Sequence, residues 1–353
     1  MKNNLVAKKR LVVIFGGCSS EYSISCKSAY SIINHIDYNK YDLFIIGITK
    51  SGEWFLYEGD ISKIFDETWE YDHNRIPVVI SPNRNDHGIL LFYGTHFEKI
   101  RIDGVFPILH GRNGEDGTVQ GLIELSGIPL IGCGTLSSAL CMDKKIAHDL
   151  VGQIGIKTPK SIKIDKQMLN INLDILVSEL KYPLFIKPVR SGSSIGITQV
   201  FRREDLLKAI DDAFKYDDSV IIEETIDGVE IGCAILGNEE IIIGELDEIE
   251  LTTGFFNYTE KYSLITSKIH VPARIDSDTA KKIKECAVKI YKVLCCKGFA
   301  RVDVFLSSDG DIFFNEVNTI PGFTANSRYP KMLKCTGLSF ENIIDKIIKL
   351  EIK

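Results

Sequence analysis

The sequence predicts a three-lobed architecture of mixed α/β and α+β character, opening with an open α/β domain. Three observations carry that expectation. At 353 residues the chain exceeds what one hydrophobic core usually organises. Its first third alternates short β-branched runs with glycine turns and amphipathic stretches. Its last third sets strand pairs around one long polar loop and two amphipathic helices.

In the first lobe, Leu11 to Phe15 reads as a strand, Gly16-Gly17 as a turn, and Glu21 to Ile33 as a helix with an apolar face. Strands over 41–48 and 104–109, a helix over 117–126 and a short strand at Leu130-Ile131 continue the alternation. The second lobe begins near Gly132, with a helix over 137–153 and strands over 160–164, 184–187, 196–200 and 220–223. Its loops, Arg190 to Ser194 and Asp227-Gly228, are rich in turn formers. The third lobe carries strands over 233–236 and 239–246, then a polar loop over 252–268 far longer than ordinary connections, as lids and binding loops are. A helix over 279–296 presents Ile283, Ala287, Ile290, Tyr291 and Leu294 on one face, with Gly298 closing it. After Ser339 the spacing of Phe340, Ile343, Ile344, Ile347 and Ile348 predicts a C-terminal helix. The expected lobes are therefore 1–131, 132–227 and 228–353.

Composition narrows the function. Hydrophobic residues make up 44% and charged residues 25%, a globular balance that leaves no room for a large disordered tail. The 42 basic and 48 acidic residues are interspersed, so no nucleic-acid footprint is expected. The apolar stretch after Lys8-Lys9-Arg10 is too short for an export signal, and no run of about 18 apolar residues suggests a membrane span. Nine cysteines without metal-ligand spacing read as reduced core residues of a cytoplasmic protein.

The strongest chemistry lies in a hairpin. Phe299 to Leu306 and Asp311 to Asn318 read as strands joined by a two-residue Asp309-Gly310 turn. Pairing Ser308 with Asp311 sets Asp303 opposite Glu316 and Arg301 opposite Asn318, all four side chains on one face. Two carboxylates facing each other repel, and a divalent cation resolves the conflict. Asp303, Glu316 and Asn318 are hard oxygen donors of the kind magnesium accepts beside nucleotide phosphates. In the turn that follows, backbone N–H groups at Gly322 are placed to face a developing oxyanion.

These residues belong to a series that resembles the D-alanine:D-alanine ligase family of ATP-grasp enzymes over essentially the whole chain. The series runs through Gly16-Gly17-Cys18-Ser19-Ser20-Glu21, His110 to Gly117, Met142-Asp143-Lys144, Lys187-Pro188, Gly192-Ser193-Ser194, Glu260-Lys261-Tyr262, Arg301-Val302-Asp303 and Glu316-Val317-Asn318-Thr319 with Pro321-Gly322. The resemblance implies an ATP-grasp fold and an ATP-dependent ligase working through an acyl phosphate. It implies that Lys144, Lys187 and Ser194 contact ATP phosphates, with Lys261 adding charge there, while Glu223 and Glu230 reach the adenine and ribose. Glu21 would hold the first substrate's ammonium and form a trio with Ser193 and Tyr262, the latter carried by the lid; His110 would stand near the same substrate. Arg301 and Gly322 would stabilise the oxyanion, and Ser327 would bind the second carboxylate. Two magnesium ions, or manganese, would sit on Asp303, Glu316 and Asn318.

The second substrate is the open choice within such a family. Glu260-Lys261-Tyr262 is the pattern of dipeptide-forming members, which sets D-lactate aside. Arg328, where an apolar residue is usual, and Phe256, where tyrosine is common, are similar to D-alanine:D-serine ligases of the VanG type. The expected reaction therefore joins D-alanine to D-serine for a modified peptidoglycan precursor, in a homodimer. A D-alanine:D-alanine ligase is the alternative, and a non-catalytic ATP-binding regulator is the alternative from another class.

Overall fold

The computed structural model describes residues 7–168, 172–251 and 267–352. A seven-stranded sheet fills the first lobe in the order β6-β5-β4-β3-β2-β1-β7. Its parallel part is β2 (Tyr41–Ile48), β1 (Lys9–Gly16) and β7 (Gly104–Pro107). The burial of β1 explains its reading as a continuous apolar run: Leu11 through Phe15 are all inaccessible to solvent. Helix α1 (Tyr22–Ile33) follows the Gly16-Gly17 turn, where Gly16 has φ +88° and a Cβ would stand 2.1 Å from the Ile48 carbonyl oxygen. Only glycine fits that approach.

The sequence reading left 49–103 unassigned, and there the structure extends the sheet by an antiparallel meander. Its strands are β3 (Trp54–Tyr57), β4 (Arg75–Ile80), β5 (Gly88–Tyr93) and β6 (His96–Arg101). The strands are short, and the apolar runs Trp54 to Tyr57, Ile76 to Ile80 and Ile89 to Tyr93, with the Gly94-Thr95 turn between β5 and β6, were the available signals. Helix α2 (Ser62–Phe65) lies within this stretch, and α3 (Thr118–Ser126) follows β7.

The single helix expected over 137–153 is two. Helix α4 (Thr135–Met142) stops at Asp143, whose extended backbone and side chain cap the next helix, α5 (Lys144–Gln153), by accepting the Ile146 N–H at 3.0 Å. An aspartate breaks the helix here because its carboxylate serves a new N-terminus better than a helix interior. The break turns Lys144 inward.

The second sheet runs β10-β9-β11-β8, from β8 (Ser161–Asp165), β9 (Leu184–Pro188), β10 (Thr198–Val200) and β11 (Ser219–Glu224). Beside it lie α6 (Leu173–Leu176) and the unforeseen α7 (Arg203–Ala213), whose Leu206, Ala209, Ile210 and Ala213 are buried. The third sheet, β14-β13-β12-β15-β16, comprises β12 (Gly228–Leu236), β13 (Ile242–Leu251), β14 (Ser267–His270), β15 (Phe299–Ser307) and β16 (Ile312–Asn318). The end of the expected long loop is therefore strand, and β13 runs five residues beyond its expected end at Leu246. Helices α8 (Ser277–Val293), α9 (Arg328–Lys334) and α10 (Phe340–Glu351) complete the lobe.

The predicted hairpin is correct at the site and wrong at its turn. Ser307 pairs with Asp311 across a three-residue loop, with Gly310 left-handed at φ +83°, so the strands leave the turn one residue out of the expected register. A bulge at Asn315 restores it: Val304 pairs with Phe314, but Asp303 pairs with Glu316 and Arg301 with Asn318. The extra residue flips the alternation once, so Phe314 goes to the core and Glu316 to the site face.

All nine cysteines are free thiols. Cys18, Cys295 and Cys335 are exposed, which corrects the expectation that all are core residues.

Candidate active site

Two adjoining cavities, of about 430 Å³ and 460 Å³, share Lys144, Ser191, Gly192 and Glu316 in their walls. The first collects Glu21 and His110 from the first lobe, Ser193 from the second, and Arg301, Asn318, Gly322, Ser327 and Arg328 from the third. The second collects Lys187, Ser194, Glu223 and Glu230 between the second and third sheets. Sequence-distant motifs thus meet in one continuous site. Phe256, Lys261 and Tyr262 lie outside the described residues.

Glu21 sits at the start of α1, 8% exposed, and accepts a hydrogen bond from Ser193 Oγ. Two glycines make room for it: a Cβ on Gly111 would stand 2.4 Å from Glu21 Oε2, and one on Gly192 2.8 Å. Ser193 and Ser194 hold left-handed backbones at φ +49° and +57°, conformations that cost side-chain-bearing residues energy and that concentrate at functional loops.

His110 is buried, with Nε2 3.2 Å from Ser28 Oγ, and burial holds its pKa down at about 4. The ring is neutral at physiological pH. Glu115, not singled out from the sequence, bridges two lobes. Its carboxyl oxygens accept the Gly111 N–H at 2.8 Å and the Ile320 N–H at 3.0 Å. Ser28 Oγ accepts the Phe323 N–H at 3.1 Å. The segment carrying Gly322 is therefore fixed from the first lobe.

Lys144 Nζ donates to the Ser191 carbonyl at 2.8 Å and stands 3.7 Å from Glu316 Oε2. Lys187 pairs with Ile221 across β9 and β11, so Glu223, two residues on, shares its face, and the two form a buried ion pair. Two compact ammonium groups thus line the second cavity, a charge pattern suited to phosphate.

On the hairpin, Arg301 grips Asp303 through Nε at 2.7 Å and Nη2 at 2.6 Å, and Asn318 Nδ2 donates to the same carboxylate at 2.9 Å. Glu316 and Asn318 line the first cavity, whereas Asp303, 1% exposed, sits behind them. Among the described residues no cluster of three His, Cys, Asp or Glu side chains gathers for a metal. The donor set is two carboxylates and an amide. Around it Arg301, Arg328 and Lys144 meet Asp303, Asp247, Glu230 and Glu316, an excess of negative charge that fits a hard cation bound through oxygen.

Arg328 is no surface residue. Its guanidinium, 9% exposed, makes a bidentate pair with the fully buried Asp247 at 2.7 Å and 2.7 Å, and reaches Glu230 Oε1 at 3.1 Å. Asp247 also accepts the Gly232 N–H at 3.0 Å. The sequence reading missed Asp247 because it ended the strand at Leu246, one residue before it and five before the strand's actual end. Beside this pair, Ser327 begins α9, and its Oγ accepts the Thr324 N–H at 3.0 Å.

Two cavities of similar size, one lined by Lys144 and Lys187 and joined to the other at Lys144 and Glu316, are the arrangement of an ATP-dependent ligase, with the nucleotide beside the substrates it activates. The comparisons give the particular family. The profile of the D-ala D-ala ligase N-terminus matches residues 10–133 and that of the C-terminus 150–349, and the chain belongs to this family of D-amino acid ligases. The D-alanine–D-alanine ligase of Caldicellulosiruptor bescii is 44% identical over 99% of this chain and 96% of that protein. The vancomycin B-type resistance protein VanB of Enterococcus faecalis is 45% identical over 98% of this chain and 99% of that protein. The crystal structure of the VanG D-Ala:D-Ser ligase from Enterococcus faecalis superposes with a TM-score of 0.91 at 54% identity, covering 98% of this chain and 99% of that one. ATP and a divalent metal come with the family. No helix among the described residues is long and apolar enough to cross a membrane.

Proposed function

We propose that the chain joins D-alanine to D-serine through a D-alanyl phosphate, using magnesium. The observation that carries the choice of D-serine is the buried Arg328–Asp247 pair beside Ser327, at the end of the first cavity expected to take the second substrate. A guanidinium clamped by Asp247 at Nε and Nη2 and by Glu230 at Nη1 has its remaining N–H groups fixed in direction, and a site built for a hydroxyl discriminates strongly against its absence. The likeness to the VanG D-Ala:D-Ser ligase supports the same reading.

The residues divide the work. Glu21, seated between Gly111 and Gly192, takes the ammonium of the first D-alanine, and neutral His110 stands by it without adding charge. Lys144 and Lys187 hold the phosphates, Ser194 covers them, and Glu223 and Glu230 lie toward the nucleoside. The first carboxylate attacks the γ-phosphate of ATP and ADP leaves; the neutral amine of the second substrate then attacks the acyl carbon, and phosphate leaves as the nitrogen gives up a proton. Arg301 and the Gly322 N–H face the oxyanion of that second step, where loss of one donor costs about 10²-fold in turnover. Asp303, Glu316 and Asn318 would hold the metal, which neutralises phosphate charge when bound. We place the reaction in the cytoplasm, where ATP is supplied.

Competition between D-serine and D-alanine at neutral pH tests the reading. The wild type is expected to favour D-serine, and Arg328→Leu to lower that preference about tenfold or more. Removing one partner of a buried ion pair costs about 3–5 kcal/mol, so Asp247→Asn, which keeps the volume, is the gentler companion and should shift the preference in the same direction. Equal or better use of D-alanine by the wild type makes the protein a D-alanine:D-alanine ligase instead.

A further inference from the structure

The metal face depends on the Asn315 bulge, and the bulge is held from outside the sheet. An extra residue in one strand has no place in the ladder, so its carbonyl must find another donor. His148 supplies it: Nε2 lies 2.9 Å from the Asn315 carbonyl oxygen. A carbonyl only accepts, so Nε2 carries the proton. The ring is 3% exposed and meets Phe314 edge-on at 5.4 Å, which fixes its plane. Its other nitrogen, Nδ1, faces Glu223 Oε1 at 3.5 Å, and neither atom has a hydrogen-bond partner among the described residues.

His148 stands one helical turn after Lys144 on α5, so both side chains share a face. That face touches consecutive residues of β16: His148 the Asn315 carbonyl, and Lys144 the Glu316 carboxylate. We propose that His148 is a positioning residue of the metal–nucleotide face, its Nε2–H holding the bulge that sets Glu316 opposite Asp303. The inference rests on the reading of Asp303, Glu316 and Asn318 as metal ligands.

The test uses equilibrium binding of ADP with and without magnesium, by calorimetry, on the full chain. The ratio of the two dissociation constants isolates the metal's contribution from contacts to the nucleotide. His148→Phe keeps the ring against Phe314 and removes the donor. His148→Asn keeps an amide near Glu223 but does not reach Asn315, whereas His148→Gln places an N–H where Nε2 was. Replacing groups that orient metal ligands typically costs 10- to 100-fold, so the magnesium enhancement should fall about tenfold or more in His148→Phe and His148→Asn and return to within about twofold of wild type in His148→Gln. An enhancement unchanged in His148→Phe and His148→Asn, or lost equally in all three variants, overturns the proposal. Glu316→Gln separates it from the underlying reading: if that variant lowers the enhancement while the His148 variants do not, only His148's role fails, and if Glu316→Gln changes nothing, the metal assignment itself is wrong.

Discussion

Glu115 shows how much one carboxyl group can settle. Burial pushes its pKa up to about 8, the neighbouring Glu21 carboxylate adds to the shift, and the N–H donations from Gly111 and Ile320 oppose it. The ordinary value is 4.5, so the folded chain keeps a proton that the unfolded chain releases. Its contribution to stability is complete below about pH 4.5 and is lost as pH rises through about 8. Glu115→Gln should therefore flatten the fall in melting temperature between about pH 5 and 8, even though the amide satisfies only one of the two N–H donors. A slope unchanged from wild type would show that Glu115 is already ionised in the folded protein. At this scale the sequence was legible wherever a residue sat inside a recognisable motif, as Glu21, Lys144 and Ser193 do. It was silent about Asp247 and His148, and Glu115 was quoted within a motif without a role. Their partners lie 81 and 167 residues away for Asp247 and His148, and 205 for one of Glu115's, and nothing in a charged residue's identity records that it will be buried.

At the level of elements, the pairing of Asp303 with Glu316 was predicted correctly for an incomplete reason. A two-residue turn would give the pairing of Asp303 with Glu316 directly; the chain instead uses a three-residue loop and a bulge whose offsets cancel. Alternation along a strand is readable from sequence, but a single inserted residue is not, because Asn315 is as compatible with a regular strand as with a bulge. The three-residue loop places Gly310 at φ +83° with nothing within 4 Å of a Cβ, so any penalty for a side chain there is purely backbone strain. Gly310→Ala is expected to cost about 1 kcal/mol in chemical denaturation while leaving ligase rates unchanged, since the bulge lies between the turn and the site. Lost activity at full stability would mean that the turn, not the bulge, sets the register of Asp303 and Glu316. The same limit explains α4 and α5. Their joint apolar pattern reads as one helix, and only the capping geometry of Asp143 reveals two.

Across the whole molecule, the cores do not follow the order of the chain. One continuous cluster runs from Leu11, Phe15 and Phe106 of the first lobe to Phe299, Phe323, Tyr329 and Phe340 near the C-terminus. Phe106 meets Phe299 edge-on at 5.8 Å and Phe323 at 6.5 Å. The second sheet has its own core, with Leu184, Ile186, Leu206, Ile210 and Ile222 at its centre. The apolar periodicity of α10 was visible in the sequence, but the partner of its apolar face was not, since periodicity gives a face and no address. Helices α4 and α5 share the core of the third sheet through Cys141, Ala147 and Val151, so we expect the first and third lobes to unfold together with them, while the second sheet opens on its own. That arrangement would let the second sheet move over the nucleotide without loosening Glu21, Gly322 or Ser327. Phe106→Ala tests it: a buried phenylalanine truncated to alanine costs about 3–5 kcal/mol. By hydrogen exchange, protection should fall together in β1, β15 and α10, with β9 and β11 changing much less. Protection lost in β1 but retained in β15 and α10 would mean that the two lobes are separate cooperative units and that the aromatic contact between them carries no coupling.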